Sequence, residues 1–225
     1  MPSTAVVTGA SRGIGRAIAL ALAAKYEIVA VARSRDELDA LAREIERGGG
    51  SCTPVVLNIT DADAVAEALG GVRADVLVNN AGVGIMKPLV ELTPGEWRTM
   101  VATNLDAVYY VTAALLPGMI ERRAGHVVIV GSIAGRSAFA GGTCYTATKH
   151  ALVGFAESLL FEVRDANVKV TLVNPGSVNS SFSRSGRDQS WKLAPEQVAD
   201  AVAYVVETPP GVLVHQLEIR TLTKG

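Results

Sequence analysis

Two cysteines, Cys52 and Cys144, are all that a chain of 225 residues offers for disulfide bonding, so no disulfide framework can hold it together. Histidine is scarce too: His126, His150 and His215 stand far apart, and no Cys/His cluster has the spacing of a metal site. An excess of one charge is missing. Lys and Arg number 21 against 22 Asp and Glu, which leaves no basic field for nucleic acid. Long apolar runs are missing as well; "AIALALAA" and "AVYYVTAALL" stop well short of the roughly 18 residues of a membrane span. A strand-like run begins at Thr4, so no signal peptide is expected ahead of it. These absences lead us to expect a soluble, cytoplasmic protein without nucleic-acid or membrane partners.

What is present is apolar sequence cut into regular pieces. Short Val/Ile/Leu runs predict strands at "TAVVT", "EIVAVA", "TPVVLNI", "ADVLVNN", "GHVVIV", "VKVTLVNP" and "VLVHQLEIR". Helical spacing separates them, in "IGRAIALALAAKY", "RDELDALAREIERGG", "DADAVAEALGG", "TPGEWRTMVATNLDAVYYVTAALLPGM", "YTATKHALVGFAESLLFEVRD" and "APEQVADAVAYVVET". Asp61 opens one helix and Gly70 closes it; Thr93, Pro94 and Glu96 form the start of another, with cap, first-turn proline and capping-box acid. The strands are near-continuous rather than alternating, as in a parallel sheet covered on both faces. The expectation is an α/β fold: a single domain over residues 1–225 with a doubly wound, Rossmann-type parallel sheet of about seven strands. One polar stretch, Ser177 to Leu193, is too long for an ordinary connection and is expected to act as a substrate lid.

In such sheets ligands sit beyond the carboxyl ends of the strands. The first strand ends in "TGASRGIG", which puts Gly9, Gly13 and Gly15 at a strand-to-helix turn, with Ser11, Arg12 and Ile14 between them. Glycines let the backbone approach a pyrophosphate, and the helix N-terminus favours its charge. Farther on, Tyr145 lies four positions before Lys149, on one face of a helix. A nearby ammonium would draw the phenol's pKa down from about 10 and make it an acid/base group. A half-buried tyrosine with an amine for a neighbour is the plain alternative.

The glycine turn (8–15), "NNAG" (79–82), Asn104, Ser132 and the Tyr145/Lys149 pair occur together in an order that resembles the short-chain dehydrogenase/reductase family over essentially the whole chain. The resemblance implies an NAD(P)-dependent oxidoreductase that moves a hydride between the cofactor and a small carbonyl or secondary alcohol. It implies that Tyr145 exchanges the proton, Lys149 tunes Tyr145 and holds the nicotinamide ribose, Ser132 holds the substrate oxygen, and Asn104 fixes a water in a proton relay. It also implies cofactor contacts from Asn80, Ala81 and Gly82, from Pro175, Gly176 and Val178, and from Asn58 and Ile59 at the end of the third strand. Members of the family are commonly homodimers or homotetramers, so a homo-oligomer is expected. "FAGGTCYTATK" and "LAPEQVADAVAYVVETP" resemble the small NADP-dependent 3-hydroxy acid dehydrogenases within it. A 3-oxoacyl thioester reductase and a non-catalytic dinucleotide sensor are the rival functions; a sensor has no need of a proton donor.

One position departs from the family's common pattern, and another bears on coenzyme choice. Asn58 stands where an aspartate usually meets adenine, although an amide oxygen can still accept from the adenine amino group. Ala32 stands where an acid that grips NAD's ribose hydroxyls would sit, followed by Arg33 and Ser34. Arg12 and Arg33 are therefore expected to bind a 2′-phosphate and make NADP(H) the coenzyme. Cys144, in an uncharged stretch, reads as a packing residue rather than a reactive thiol.

Overall fold

The computed structural model describes residues 3–180 and 190–222. The strands are β1 (Thr4–Thr8), β2 (Glu27–Ala32), β3 (Cys52–Val56), β4 (Val76–Asn79), β5 (Gly125–Val130), β6 (Val168–Pro175) and β7 (Gln216–Ile219). They form one sheet in the order β3-β2-β1-β4-β5-β6-β7, every pair parallel. The helices are α1 (Gly13–Leu22), α2 (Arg35–Arg47), α3 (Ala62–Leu69), α4 (Pro94–Val101), α5 (Ala107–Arg122), α6 (Thr143–Val163) and α7 (Pro195–Val206). This is the doubly wound, single-domain architecture expected from the alternating pattern.

The near-continuous apolar strands now have their reason. Successive residues of a strand point to opposite faces. Ala5, Val7, Val128 and Val130 pack with Ile18, Leu41 and Val202 of α1, α2 and α7. Val6, Val127 and Ile129 pack on the other face with Leu69, Leu115 and Leu152 of α3, α5 and α6. Both faces are covered, so neither tolerates the polar alternation of a half-exposed sheet. No helix among the described residues is long and apolar enough to cross a membrane.

Local signals place the helix ends. Asp61 Oδ1 accepts from the Ala64 N–H at 3.0 Å. Thr93 and Glu96 complete a reciprocal capping box, with Thr93 N–H donating to Glu96 at 2.9 Å and Glu96 N–H donating to Thr93 Oγ1 at 3.2 Å. Three expectations need correction. The third strand stops at Val56, so Asn58 and Ile59 lie in the loop that follows it. The last strand is confined to Gln216–Ile219. The single long helix expected after Thr93 is broken by one π-turn, Ala102–Asp106, between α4 and α5. A π-turn inserts one extra residue into the helical ladder, and here that irregularity turns Asn104 into the protein.

The sheet's winding reverses between β1 and β4, where one helix layer gives way to the other. Thr8 and Asn80 join the two strand ends: Thr8 Oγ1 accepts from the N–H groups of Asn80 (3.0 Å) and Ala81 (3.1 Å). Asn80 Nδ2 donates back to the Thr8 carbonyl at 2.9 Å. The crevice that this switch point opens is the place where such sheets bind ligands.

Candidate active site

A groove of about 1560 Å³ runs along the carboxyl ends of the strands. That exceeds the roughly 300–1,000 Å³ of an ordinary small-molecule site, leaving room for a dinucleotide and a second ligand. At one end lies the β1–α1 turn. Gly9 and Gly13 have φ of 66° and 55°, which favour glycine, and with Ser11, Arg12 and Ile14 they line the groove. Gly15 lies beneath the lining, where a Cβ would fall on the Gly9 carbonyl and the Asn80 amide; this brings α1 tight against the strand ends. No side chain caps the start of α1, and its first turn carries no acid. Its unpaired N–H groups therefore suit an anion. Glycines without side chains and an uncapped helix start fit a pyrophosphate.

Arg33 and Ser34 follow β2 on the same end of the groove, with Arg12 across the turn. Neither arginine forms an ion pair among the described residues. Glu37, which the sequence had not singled out, lines the groove beside them. Asn58 and Ile59 line it too, but the Asn58 oxygen already accepts from the Thr60 hydroxyl at 3.0 Å and, more weakly, from its N–H at 3.4 Å. Accepting from an adenine amino group would thus compete with this local turn. Asn80, Ala81 and Gly82 form the groove floor, and Pro175, Gly176 and Val178 the wall beyond β6.

At the other end Ser132, Tyr145 and Lys149 converge on the groove. Ser132 follows β5, and its hydroxyl hydrogen-bonds Tyr145 and accepts from the Ala134 N–H at 3.1 Å. Lys149 is buried; its Nζ donates to the Val130 carbonyl at 3.0 Å and lies 5.8 Å from the Tyr145 ring centroid. Burial pulls the Lys149 pKa down from 10.5 to about 8. Burial also raises the Tyr145 pKa above its ordinary 10.0, opposed by the Ser132 hydrogen bond. The expected lowering of Tyr145 by Lys149 is therefore corrected: burial sets the direction of the shift. Both groups sit in a low-dielectric wall that disfavours their charged forms, and the amine is turned to a backbone carbonyl.

Asn104 does not line the groove. It is 1% exposed, behind the floor. Its Oδ1 accepts from the Val83 N–H at 2.8 Å, and its two amide hydrogens go to the Val83 carbonyl (2.9 Å) and Thr148 Oγ1 (3.1 Å). Thr148 in turn donates to the Tyr145 carbonyl at 2.8 Å. Thr148, like Glu37, escaped the sequence reading. Thr148 was visible only as part of "YTATK". Asn174, buried at the end of β6, accepts the Ser132 N–H at 3.1 Å and so fixes the loop that carries the serine.

The base of the expected lid is also defined. Val178 bridges Leu193, Asn179 N–H donates to the Leu193 carbonyl (2.8 Å), and Leu193 N–H donates to the Ser177 carbonyl (3.0 Å). Ser180 and Lys192 line the groove, and the Ser180 Cβ lies 3.7 Å from where a Cβ of Gly13 would be. The lid's centre, 181–189, lies outside the described residues.

Comparison with known proteins agrees with this geometry. The family model for short chain dehydrogenases matches residues 3–191. The NADP-dependent 3-hydroxy acid dehydrogenase of Salmonella typhi is 32% identical, over 98% of this chain and 95% of its own length. The 3-oxoacyl-[acyl-carrier-protein] reductase of Escherichia coli is 35% identical, over 82% of this chain and 77% of its own. A closed form of serine dehydrogenase complexed with NADP+ superposes with a TM-score of 0.92 at 32% identity, covering 99% of this chain and 96% of its own. With a glycine-lined cradle at one end of its strand-end groove and a Ser–Tyr–Lys cluster at the other, the chain is an oxidoreductase and belongs to the short chain dehydrogenase family.

Proposed function

We propose that this protein transfers a hydride reversibly between NADP(H) and a small carbonyl compound or its secondary alcohol, with Tyr145 as the acid/base. The observation that carries the reading is the Ser132–Tyr145 hydrogen bond, set in the groove wall with the Lys149 amine behind it. Two hydroxyls side by side make a seat for a carbonyl oxygen. Ser132 donates to that oxygen and stabilises developing alkoxide charge, while Tyr145 gives up its proton. In the reverse direction Tyr145 takes the proton back. Bound NADPH supplies the hydride; the chain holds and orients it.

The cradle of Gly9, Gly13 and Ile14 takes the pyrophosphate, and Arg12, Arg33 and Ser34 take the 2′-phosphate. Asn80, Ala81 and Gly82 lie along the cofactor, Asn58 and Ile59 beside adenine, and Pro175, Gly176 and Val178 at the nicotinamide. Lys149 reaches the ribose and releases or regains a proton near its lowered pKa. Asn104 acts as a positioning residue, tying the Val83 loop to the start of α6 through Thr148. An amide oxygen has two lone pairs and Asn104 Oδ1 accepts one bond, from Val83, so a relay water at this residue is compatible with its hydrogen bonds.

The segment 177–193 closes over substrate from its paired base; slower proteolysis with cofactor, and slower still with substrate, is the expected sign. A homodimer or homotetramer is supported by Tyr109 on α5 and Phe161 on α6, both exposed, and light scattering tests it. Two free, buried cysteines suit a reducing cytoplasm. The test of function is NADPH oxidation against a panel of ketones, aldehydes and 3-oxoacyl thioesters. Binding of NADPH without turnover of any of them would leave a sensor instead of an enzyme.

A further inference from the structure

The groove's mouth beside Tyr145 has an unusual rim. Met86, on the segment after β4, and Phe139, on the segment before α6, both line the groove and are 45% and 46% exposed. The two segments are joined by the Lys87 N–H donating to the Gly141 carbonyl at 2.9 Å. Phe139 packs its ring edge on Gly142, where any Cβ would collide with the ring. The ring is thereby held three residues before the start of the turn that carries Tyr145. Leu89 and Val90 follow three and four residues after Met86 and are 58% and 95% exposed. Lys87, next to Met86 in the chain, is paired with Glu96. Apolar side chains exposed in a groove that holds a reaction site gain free energy from covering.

We propose that the physiological substrate carries an apolar substituent, alkyl or aryl, on its carbonyl carbon, and that this group packs between Met86 and Phe139 and out along Leu89 and Val90. The inference rests on Tyr145 as proton donor, because that places the carbonyl at the inner end of the rim. Arg98 and Lys192 also line the groove, so a substrate recognised by an anionic end is the competing possibility.

The test is kcat/KM with NADPH for butanone, hexanone and octanone (the methyl ketones), for acetophenone, and for a hexanone bearing a terminal carboxylate. Each buried methylene is expected to raise kcat/KM about fourfold, until the chain passes Val90. In Phe139→Ala the octanone-to-butanone ratio falls about tenfold, Phe139→Leu recovers most of it, and Met86→Ala lowers it in the same sense. Calorimetry with octanamide and acetamide, which are not reduced, on the cofactor-loaded Tyr145→Phe protein gives the same preference without turnover. A flat ketone series, an unchanged ratio in Phe139→Ala, or a rate that follows the carboxylate would overturn the proposal. Failure to oxidise NADPH with any ketone, alongside normal octanamide preference, would instead remove the catalytic reading and leave the apolar site standing.

Discussion

The ammonium of Lys149 donates to the main-chain oxygen of Val130 across 3.0 Å, from a buried position one helical turn beyond Tyr145. That bond ties α6 to the end of β5, the strand that delivers Ser132. Lys149→Ala removes it, leaves a buried carbonyl unpaired, and is expected to lower stability by about 1–3 kcal/mol. It should also weaken NADPH binding and cut turnover. Tyr145→Phe should abolish turnover, by at least about a thousandfold, with NADPH affinity nearly intact. Fluorescence titration with NADPH beside steady-state rates separates the two. Substantial activity in Tyr145→Phe would refute the proposed proton transfer.

Tyr145 should ionise late in the cofactor-free protein. Burial raises its pKa above the ordinary value, against the Ser132 hydrogen bond. The phenol is then protonated throughout the neutral range, ready to act as an acid. An ultraviolet difference titration of wild type against Tyr145→Phe should show this phenolate appearing at higher pH than that of an unperturbed tyrosine. Ser132→Ala should push it higher still. Ionisation near pH 7 in the absence of cofactor would contradict the structure.

His126 makes stability depend on pH. It is buried at the start of β5, its Nε2–H donating to Thr171 Oγ1 at 2.8 Å while Thr171 donates to the Val214 carbonyl. Burial, then the nearby Lys169 charge, lowers its pKa from 6.5 to about 4. The unfolded chain therefore binds the proton first as pH falls. Stability is complete above about pH 6.5 and is lost progressively down to about pH 4. Between pH 7.5 and 4.5 this one group should remove about 2–3 kcal/mol. Urea unfolding at both pH values, compared with His126→Leu, isolates its share; an equal loss in the variant would assign the effect elsewhere.

Coenzyme choice should follow the charges at the β2 end of the groove. NADPH is expected to be preferred over NADH, with Arg12→Ala and Arg33→Ala each eroding the preference about tenfold. Ala32→Asp should act against NADPH by repelling the 2′-phosphate. Glu37, brought there by α2, should oppose it already, so Glu37→Gln is expected to sharpen the preference. The ratio of kcat/KM for the two coenzymes decides each case, and a wild-type preference for NADH would sink the assignment.

Gly15 has no room to change. A Cβ there would meet main-chain atoms of Gly9 and the Asn80 side chain. Gly15→Ala must separate α1 from the strand ends, which is expected to lower stability by about 1–3 kcal/mol and to weaken NADPH binding more than tenfold. Thermal unfolding and cofactor titration read the two effects; an unperturbed variant would show that α1 does not need this approach.

Much of this protein was legible along the chain because the information there is local. Strand β2 is the run "EIVAVA" itself, and the Thr93/Glu96 box and the Asp61 cap join residues three apart. The glycine turn, the arginines after β2 and the Ser–Tyr–Lys set could be picked out by type and spacing, and nearly all of them line one groove. Tertiary structure decided the rest. Asn104 finds Val83 and Thr148 at separations of 21 and 44 residues. Asn174 finds Ser132 at 42, and Thr8 finds Asn80 at 72. No local pattern announces such partners. The same holds for the direction of the Tyr145 pKa: helical spacing put an amine nearby, but burial, which only the packed fold creates, sets the direction against the Ser132 hydrogen bond. The rim of Met86 and Phe139 likewise exists because two loops, more than fifty residues apart in the chain (86 to 139), are joined through Lys87 and Gly141.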